Sequence, residues 1–208
     1  MRVDPAGLPF IGGAAALALL LGAVFGWPFS IPLLALSAFF LFFFRDPERR
    51  IPSLGDAVLS PADGRVLVAG DVIPDAAPPG AWKQVSIFLS PMDVHVNRVP
   101  VSGRVTRVAL TPGRFLPAYR RAAGTINERS EIWIDHEGQV VVARQIVGIL
   151  ARRVVCRLEV GVTVRAGERY GIMKFGSRMD IFLPQTARIR VAVGETVRGG
   201  ETVIAVLQ

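Results

Sequence analysis

The chain has 208 residues, 51% of them hydrophobic, a length that suits one globular domain plus a membrane anchor and leaves too little room for two full domains. Its formal net charge of +7 favours an anionic membrane surface as partner over nucleic acid, because the sequence contains neither a long Lys/Arg run nor a recognisable nucleic-acid module. Cys156 is the only cysteine, so an intramolecular disulfide is excluded, which fits a reducing compartment.

Two uncharged apolar stretches at the N-terminus, residues 8–24 and 31–44, predict a membrane-anchoring hairpin over residues 1–50. Each stretch is slightly shorter than the roughly 20 apolar residues that cross a bilayer, so the sequence leaves open whether the hairpin spans the membrane or is re-entrant. The second apolar block follows the first at once, which argues against a cleaved signal peptide. Arginines flank both ends and place them on the cytoplasmic face of the cell (inner) membrane: Arg2, Arg45, Arg49 and Arg50.

The remaining residues, 51–208, are predicted to form a β-rich domain that faces the cytoplasm. Short runs that alternate apolar and polar residues are typical of half-buried strands. They lie at residues 64–69, 84–89, 131–134, 139–143 and 154–158. The best helical candidate is the segment 117–123. We therefore expect a mostly β fold, an antiparallel β-sandwich or distorted barrel with little helix.

An internal repeat links two segments near the C-terminus: the run from Val160 to Glu168 recurs from Val193 to Glu201. Two copies are too few for a solenoid. The pattern of a strand that enters a Gly-Glu turn and returns resembles the hairpins of biotinyl/lipoyl-type domains. One alternative function is therefore a membrane-anchored carrier or adaptor that is modified on Lys174.

Four short motifs carry the most specific signal: Phe-Phe-Arg-Asp-Pro at 43–47, Ser-Pro-Ala-Asp-Gly at 60–64, Pro-Met-Asp-Val-His at 91–95 and Gly-Ser-Arg at 176–178. With these motifs in this order, the chain resembles the pyruvoyl-dependent phosphatidylserine decarboxylase family, in its short form with a Gly-Ser-Arg processing motif. The resemblance implies self-cleavage between Gly176 and Ser177 into a larger N-terminal chain and a small C-terminal chain, which stay associated. It also implies that Ser177 becomes a covalent pyruvoyl cofactor, which decarboxylates phosphatidylserine to phosphatidylethanolamine through a Schiff base.

Self-cleavage needs a nucleophile close to its own preceding peptide bond. The hydroxyl of Ser177 can attack the carbonyl of Gly176, and a glycine tolerates the backbone geometry that this approach requires. The serine also needs a base, and the chain holds two histidines, His95 and His136. His95 matches the Asp-x-His motif of the family, whereas His136 lies in an Asp-His-Glu-Gly run that predicts an exposed β-turn.

By resemblance, Asp63 is the carboxylate that orients His95, and Asp93 is its rival for this role. The histidine motif of the family often carries a second histidine three residues on, and this chain has Arg98 there. Arg98 and Arg178 are candidates for binding the substrate phosphate. The sequence shows no recognisable metal site.

A second alternative is a serine hydrolase that uses Ser177, His95 and Asp63 on an uncleaved chain. The chain lacks the Gly-x-Ser-x-Gly elbow of the α/β hydrolases. The sequence leaves open whether the protein forms a homo-oligomer and whether the lipid tails of the substrate are acyl or ether-linked.

Overall fold

The structure is a computed structural model that describes residues 2–53, 55–72, 77–149, 154–174 and 177–208. The chain divides into two compact units, Met1–Glu48 and Arg49–Gln208.

The first unit is a helical hairpin. Its helices are α1 (Leu8–Phe25) and α2 (Ile31–Phe43), with 3-10 turns at Pro5–Gly7 and Trp27–Ser30. Strand β1 (Arg2–Val3) pairs antiparallel with β2 (Arg45–Asp46), so both ends of the hairpin lie side by side.

Serine hydroxyls join the two helices in an otherwise apolar hairpin. Ser30 Oγ donates to Ala18 O at 2.7 Å, and Ser37 Oγ donates to Ile11 O at 3.1 Å. The segment Pro5–Phe25 has a mean hydropathy of 2.2 and is long enough to cross a membrane, whereas the apolar segment Trp27–Phe43 is shorter.

The second unit is built from antiparallel strands, as the alternating sequence runs predict. The strands are β3 (Ala57–Leu59), β4 (Gly64–Asp71), β5 (Trp82–Leu89), β6 (Val96–Arg98), β7 (Gly103–Thr111), β8 (Arg129–His136), β9 (Gln139–Ile146), β10 (Val154–Cys156), β11 (Thr163–Val164), β12 (Arg169–Met173), β13 (Ser177–Pro184), β14 (Arg188–Ile189), β15 (Thr196–Val197) and β16 (Val203–Val206). The prediction of a mostly β, antiparallel domain behind an apolar N-terminal segment is confirmed.

One large sheet organises the domain, with strand order β11-β7-β8-β9-β13-β5-β4-β15. Strand β13 lies at its centre, and it pairs antiparallel with β5 over its whole length and with β9 over most of it. Two smaller sheets, β10-β12-β6 and β14-β16-β3, complete the unit. The main apolar cluster includes Ile87, Ile134, Met179 and Ile181.

The repeated segments occupy matching places at the two edges of the large sheet. Strand β11 from the first copy pairs with the start of β7, and β15 from the second pairs with the start of β4. The starts of β7 and β4 are themselves alike: a Cβ on Gly103 would collide with Asp135 O, and a Cβ on Gly64 would collide with Phe88 O. The repeat thus marks an internal pseudo-symmetry, and its kinship to biotinyl/lipoyl hairpins stays a prediction.

The predicted helix at 117–123 is wrong in its position. The described helix of this unit, α3, is a single turn at Ala123–Ile126. Residues before it form turns in which side chains bind the backbone: Asn127 accepts from the N–H of Leu116 and donates to its carbonyl. The second bond occupies the carbonyl of Leu116, which would be the first acceptor of a helix that begins at Pro117.

Candidate active site

Ser177 is the first residue of the central strand β13, and it is fully buried. Its partner in the ladder is Leu89 on β5. Within the described part of the chain, Ser177 Oγ has no hydrogen-bond partner. A buried hydroxyl without a partner costs about 1–3 kcal/mol, which makes Ser177 a candidate functional residue. Gly176, the other half of the expected cleavage site, lies outside the described residues.

His95 is also fully buried, just before β6. Its Nδ1 lies 3.0 Å from the carbonyl oxygen of Asp93. Since a carbonyl can only accept, Nδ1 carries the proton, and in the neutral ring the lone pair is on Nε2. The N–H of Met173 donates to His95 O at 3.3 Å, which holds His95 beside the end of β12, shortly before Ser177 in the chain.

The two candidate orienting carboxylates are bound elsewhere. Asp93 Oδ2 accepts from the backbone N–H and the hydroxyl of Ser90, at 2.7 and 2.8 Å. Asp63 Oδ2 accepts from Arg49 Nη2 at 2.8 Å, and Asp63 Oδ1 accepts from Gly199 N at 2.7 Å. The main-chain carbonyl of Asp93 is therefore one group that orients the His95 ring.

Asp63 belongs to a charged clamp with Arg49 and Glu201. Arg49 bridges the two acids, with Nη1 at 3.4 Å from Glu201 Oε2, and its side chain is only 6% exposed. The N–H of Arg50 donates to Glu201 Oε1 at 3.0 Å, and this bond, followed by the charge of Arg49, lowers the pKa of Glu201 below its ordinary value. The clamp ties the start of the second unit to the repeat segment near the C-terminus.

Arg178 forms a buried ion pair. Its Nε and Nη2 donate to the two carboxylate oxygens of Asp180, each at 2.6 Å, and both residues are almost fully buried. The third guanidinium nitrogen, Nη1, reaches Arg120 O at 3.4 Å. Arg98 is 5% exposed and donates from Nη1 to Gly167 O at 3.0 Å. Of the two phosphate candidates, Arg178 is thus satisfied inside the protein.

A row of arginines holds the segment 113–127 against the sheet. Arg178, Arg144 and Arg129 each donate to a backbone carbonyl in that segment, those of Arg120, Gly124 and Thr125 respectively. Arg144 also pairs with Glu131 at 2.6 Å, and its burial lowers the pKa of its guanidinium despite this partner. No motif in the sequence indicates this row.

A buried amide pair lies near the candidate nucleophile and was also missed. Gln145 Nε2 donates to Asn97 Oδ1 at 2.8 Å, and neither side chain is exposed. One signal was available: in the apolar run around β6, His95 and Asn97 alternate with valines, which places both on one face of an extended chain.

His136 corrects a sequence-based expectation. The Glu137–Gly138 turn is exposed, as predicted, but His136 itself is buried at the end of β8. Its Nδ1 lies 2.7 Å from Ser102 O, and this bond draws the imidazole under the turn. Lys174, the attachment candidate of the carrier alternative, is half-buried directly after β12.

Several known proteins are similar in sequence to this chain. The model of the phosphatidylserine decarboxylase family matches residues 36–205. A phosphatidylserine decarboxylase proenzyme of Nitrosomonas europaea is 42% identical over 200 residues, covering 96% of this chain and 92% of the relative. Proenzymes of the same name from Cupriavidus taiwanensis and Chlorobium chlorochromatii are 43% and 48% identical, covering 97% and 80% of this chain and 94% and 78% of the relatives.

Proposed function

Because this chain belongs to the phosphatidylserine decarboxylase family, we propose that it converts phosphatidylserine to phosphatidylethanolamine with a pyruvoyl group made from Ser177. The observation that carries the proposal is the buried Ser177 hydroxyl without a described partner, at the head of the central strand. The relatives are named proenzymes, which supports a maturation step.

In that step, Ser177 Oγ attacks the carbonyl carbon of Gly176, and the bond from that carbon to Ser177 N breaks to give an ester. Removal of the Cα proton of Ser177 then expels the carboxylate of Gly176 and leaves a dehydroalanine. Water converts the dehydroalanine to a pyruvoyl group and releases ammonia. The tautomer set by Asp93 O leaves His95 Nε2 with the lone pair that takes the serine proton.

The role of Asp63 follows from its bonds in the charged clamp. It holds Gly199 and Arg49 with its two oxygens, so a direct role on His95 would require one of these bonds to exchange. We propose that Asp63 is a positioning residue, which fixes the loop 60–64 beside β6 through Pro61 O and the N–H of Arg98.

The two chains made by cleavage are expected to stay associated. Every residue of β13 is in register with β5, and β15 and β16 pair with β4 and β3. Strand β13 of the small chain would thus lie inside the large sheet, with strands of the larger chain on both sides.

The pyruvoyl ketone supplies an electrophile that condenses with the substrate amine and draws electrons from the carboxylate-bearing carbon. In this second reaction we propose that His95, protonated in the step before, returns a proton to that carbon. Arg98 and Arg178 both stay candidates for the substrate phosphate, and for Arg178 the bonds to Asp180 would have to exchange first.

Substrate and product are lipids, and the apolar hairpin fits an enzyme that works at a membrane. We propose the cytoplasmic face of the inner membrane. The second unit supports this with the segment 112–122, which exposes two aromatic rings, Phe115 and Tyr119, and three cations. The cations are Arg114, Arg120 and Arg121. Such a surface suits anionic headgroups.

Intact-mass measurement tests the proposal. The purified full-length protein should appear as two fragments divided between residues 176 and 177, and borohydride should add two hydrogens to the smaller one by reducing its ketone. Ser177→Ala should leave one uncleaved, inactive chain, whereas Ser102→Ala should cleave normally. A single full-length species in active protein would defeat the proposal.

A further inference from the structure

The amide pair of Asn97 and Gln145 is incompletely satisfied. Gln145 Oε1 and Asn97 Nδ2 have no hydrogen-bond partner in the described part of the chain, although both residues are fully buried. The amide orientation does not change this result: if both groups are turned over, the same bond forms in reverse and again leaves one donor and one acceptor. Buried polar atoms in this state are rare in proteins, so the pair points to a ligand.

Strand register places this pair beside the nucleophile. Gln145 on β9 is directly opposite Met179 on β13, and Ser177 is on the same face two residues earlier. Gln145 is therefore diagonal to Ser177, at roughly 7–8 Å between backbones, a span that a long side chain covers. Asn97 occupies the corresponding place relative to His95, two residues along an extended chain.

The surroundings keep the pair in place. Gly171 is opposite Asn97 on β12, and a Cβ there would lie 2.9 Å from Gln145 Nε2, so the glycine makes room for the amide. Tyr170, the preceding residue, is fully buried with its hydroxyl likewise without a described partner. Burial raises the pKa of Tyr170 well above its usual value, so the phenol stays protonated as a neutral group.

We propose that Asn97 and Gln145 bind the amino-carboxylate headgroup of the substrate, the amide donor holding the carboxylate and the amide acceptor holding the amine. This inference rests on the proposed decarboxylation at Ser177. A neutral donor suits that reaction, because the carboxylate loses its charge as CO₂ departs, and a cation would stabilise the starting state more than the transition state. The product lacks the carboxylate, so it loses the hydrogen bond from the amide donor and dissociates more readily.

Binding without turnover tests the proposal. Borohydride-reduced, cleaved full-length protein has no ketone, so its affinity for short-chain lipids can be measured by calorimetry. We expect phosphatidylserine to bind at least tenfold more tightly than phosphatidylethanolamine and than phosphatidylglycerol, which is anionic but has no carboxylate. Equal binding of all three lipids would overturn the site.

Two variants locate the effect. Asn97→Asp keeps an acceptor for Gln145 Nε2 but turns a carboxylate oxygen toward the ligand, and Gln145→Met keeps the volume without either polar group. Both should abolish the tenfold preference for phosphatidylserine, while Gln139→Met, at the far end of the same strand, should retain it. Persistence of the preference in both variants overturns the proposal, and failure of both to yield folded, cleaved protein assigns the pair to folding and also overturns it.

Failure of the proposed function would show at an earlier step. Protein that is not cleaved and gains no mass with borohydride lacks the ketone altogether, whatever lipid it binds.

Discussion

Asp63 accepts a 2.7 Å hydrogen bond from the N–H of Gly199, and the two residues lie on opposite sides of the proposed cleavage point in the chain. The other half of the domain has a matching bond, in which Ser102 Oγ accepts from Ala166 N at 3.0 Å. Asp63 therefore binds the second repeat segment as Ser102 binds the first. Its second carboxylate oxygen also forms the ion pair with Arg49.

This relationship predicts how Asp63 acts. In the uncleaved Ser177→Ala background, Asp63→Ala and Arg49→Met should each lower the free energy of unfolding by about 1–3 kcal/mol, because each removes the mostly buried 2.8 Å ion pair between the two side chains. Denaturant unfolding in detergent measures the loss, with the exposed Arg198→Ala as a control near zero.

The extent of self-cleavage then separates two roles of the clamp. If Asp63 positions its loop through the clamp, Asp63→Asn and Arg49→Met slow cleavage to a similar degree. Loss of cleavage in Asp63→Asn with normal cleavage in Arg49→Met would instead show that the carboxylate acts on His95 directly.

The two histidines should have different roles, His95 in cleavage and His136 in stability. His95→Ala should block cleavage, because the serine loses the ring nitrogen that takes its proton. His136→Ala should leave cleavage intact yet lower the free energy of unfolding by about 1 kcal/mol, because it removes the buried bond to Ser102 O. Mass spectrometry gives the first result and thermal unfolding the second; a cleavage defect in His136→Ala alone would reverse the assignment.

Alternation along the chain was enough to predict the antiparallel domain and five of its strands, β4, β5, β8, β9 and β10, because each sheet face is either apolar core or a partly polar layer. The same alternation places Arg178 and Asp180 on one face of β13, so their ion pair could have been read from the sequence. It does not show which strand lies beside which. The contact of Gln145 with Asn97 depends on the register of β9 with β13 and on a crossing between two sheets, and no local pattern encodes either.

The predictions for His136 and for the segment 117–123 were wrong for a related reason. Asp-His-Glu-Gly does form the exposed turn, but the imidazole is buried against the carbonyl of Ser102, the residue before β7. The helix was displaced because Asn127 and arginines from the sheet bind the backbone that it would have used.

Removing one residue of the Arg178–Asp180 ion pair should destabilise the protein much more than replacing both residues with apolar ones. Removing one partner, as in Asp180→Asn or Arg178→Met, leaves a buried charge uncompensated and should lower the free energy of unfolding by about 3–5 kcal/mol. The double variant Arg178→Met with Asp180→Leu should recover most of this loss, because neither position then carries a buried charge. A double-mutant cycle on Ser177→Ala protein measures the coupling, and additive losses would show that the two side chains do not depend on each other.

Glu201 gives the clamp a pH dependence of defined sign. Its pKa is lowered in the folded protein, first by the N–H of Arg50 and then by the charge of Arg49, so folding favours the ionised form. The stabilisation is fully present above the unfolded pKa, about 4.5, and is lost as the pH falls through the lower folded value. Glu201→Gln should therefore reduce the stability of Ser177→Ala protein at neutral pH and flatten its decline in acid, as measured by thermal unfolding between about pH 3 and pH 7. Glu137→Gln, on the exposed turn, should leave the acid profile unchanged. A parallel decline of the Glu201→Gln and parent profiles would remove Glu201 from the clamp.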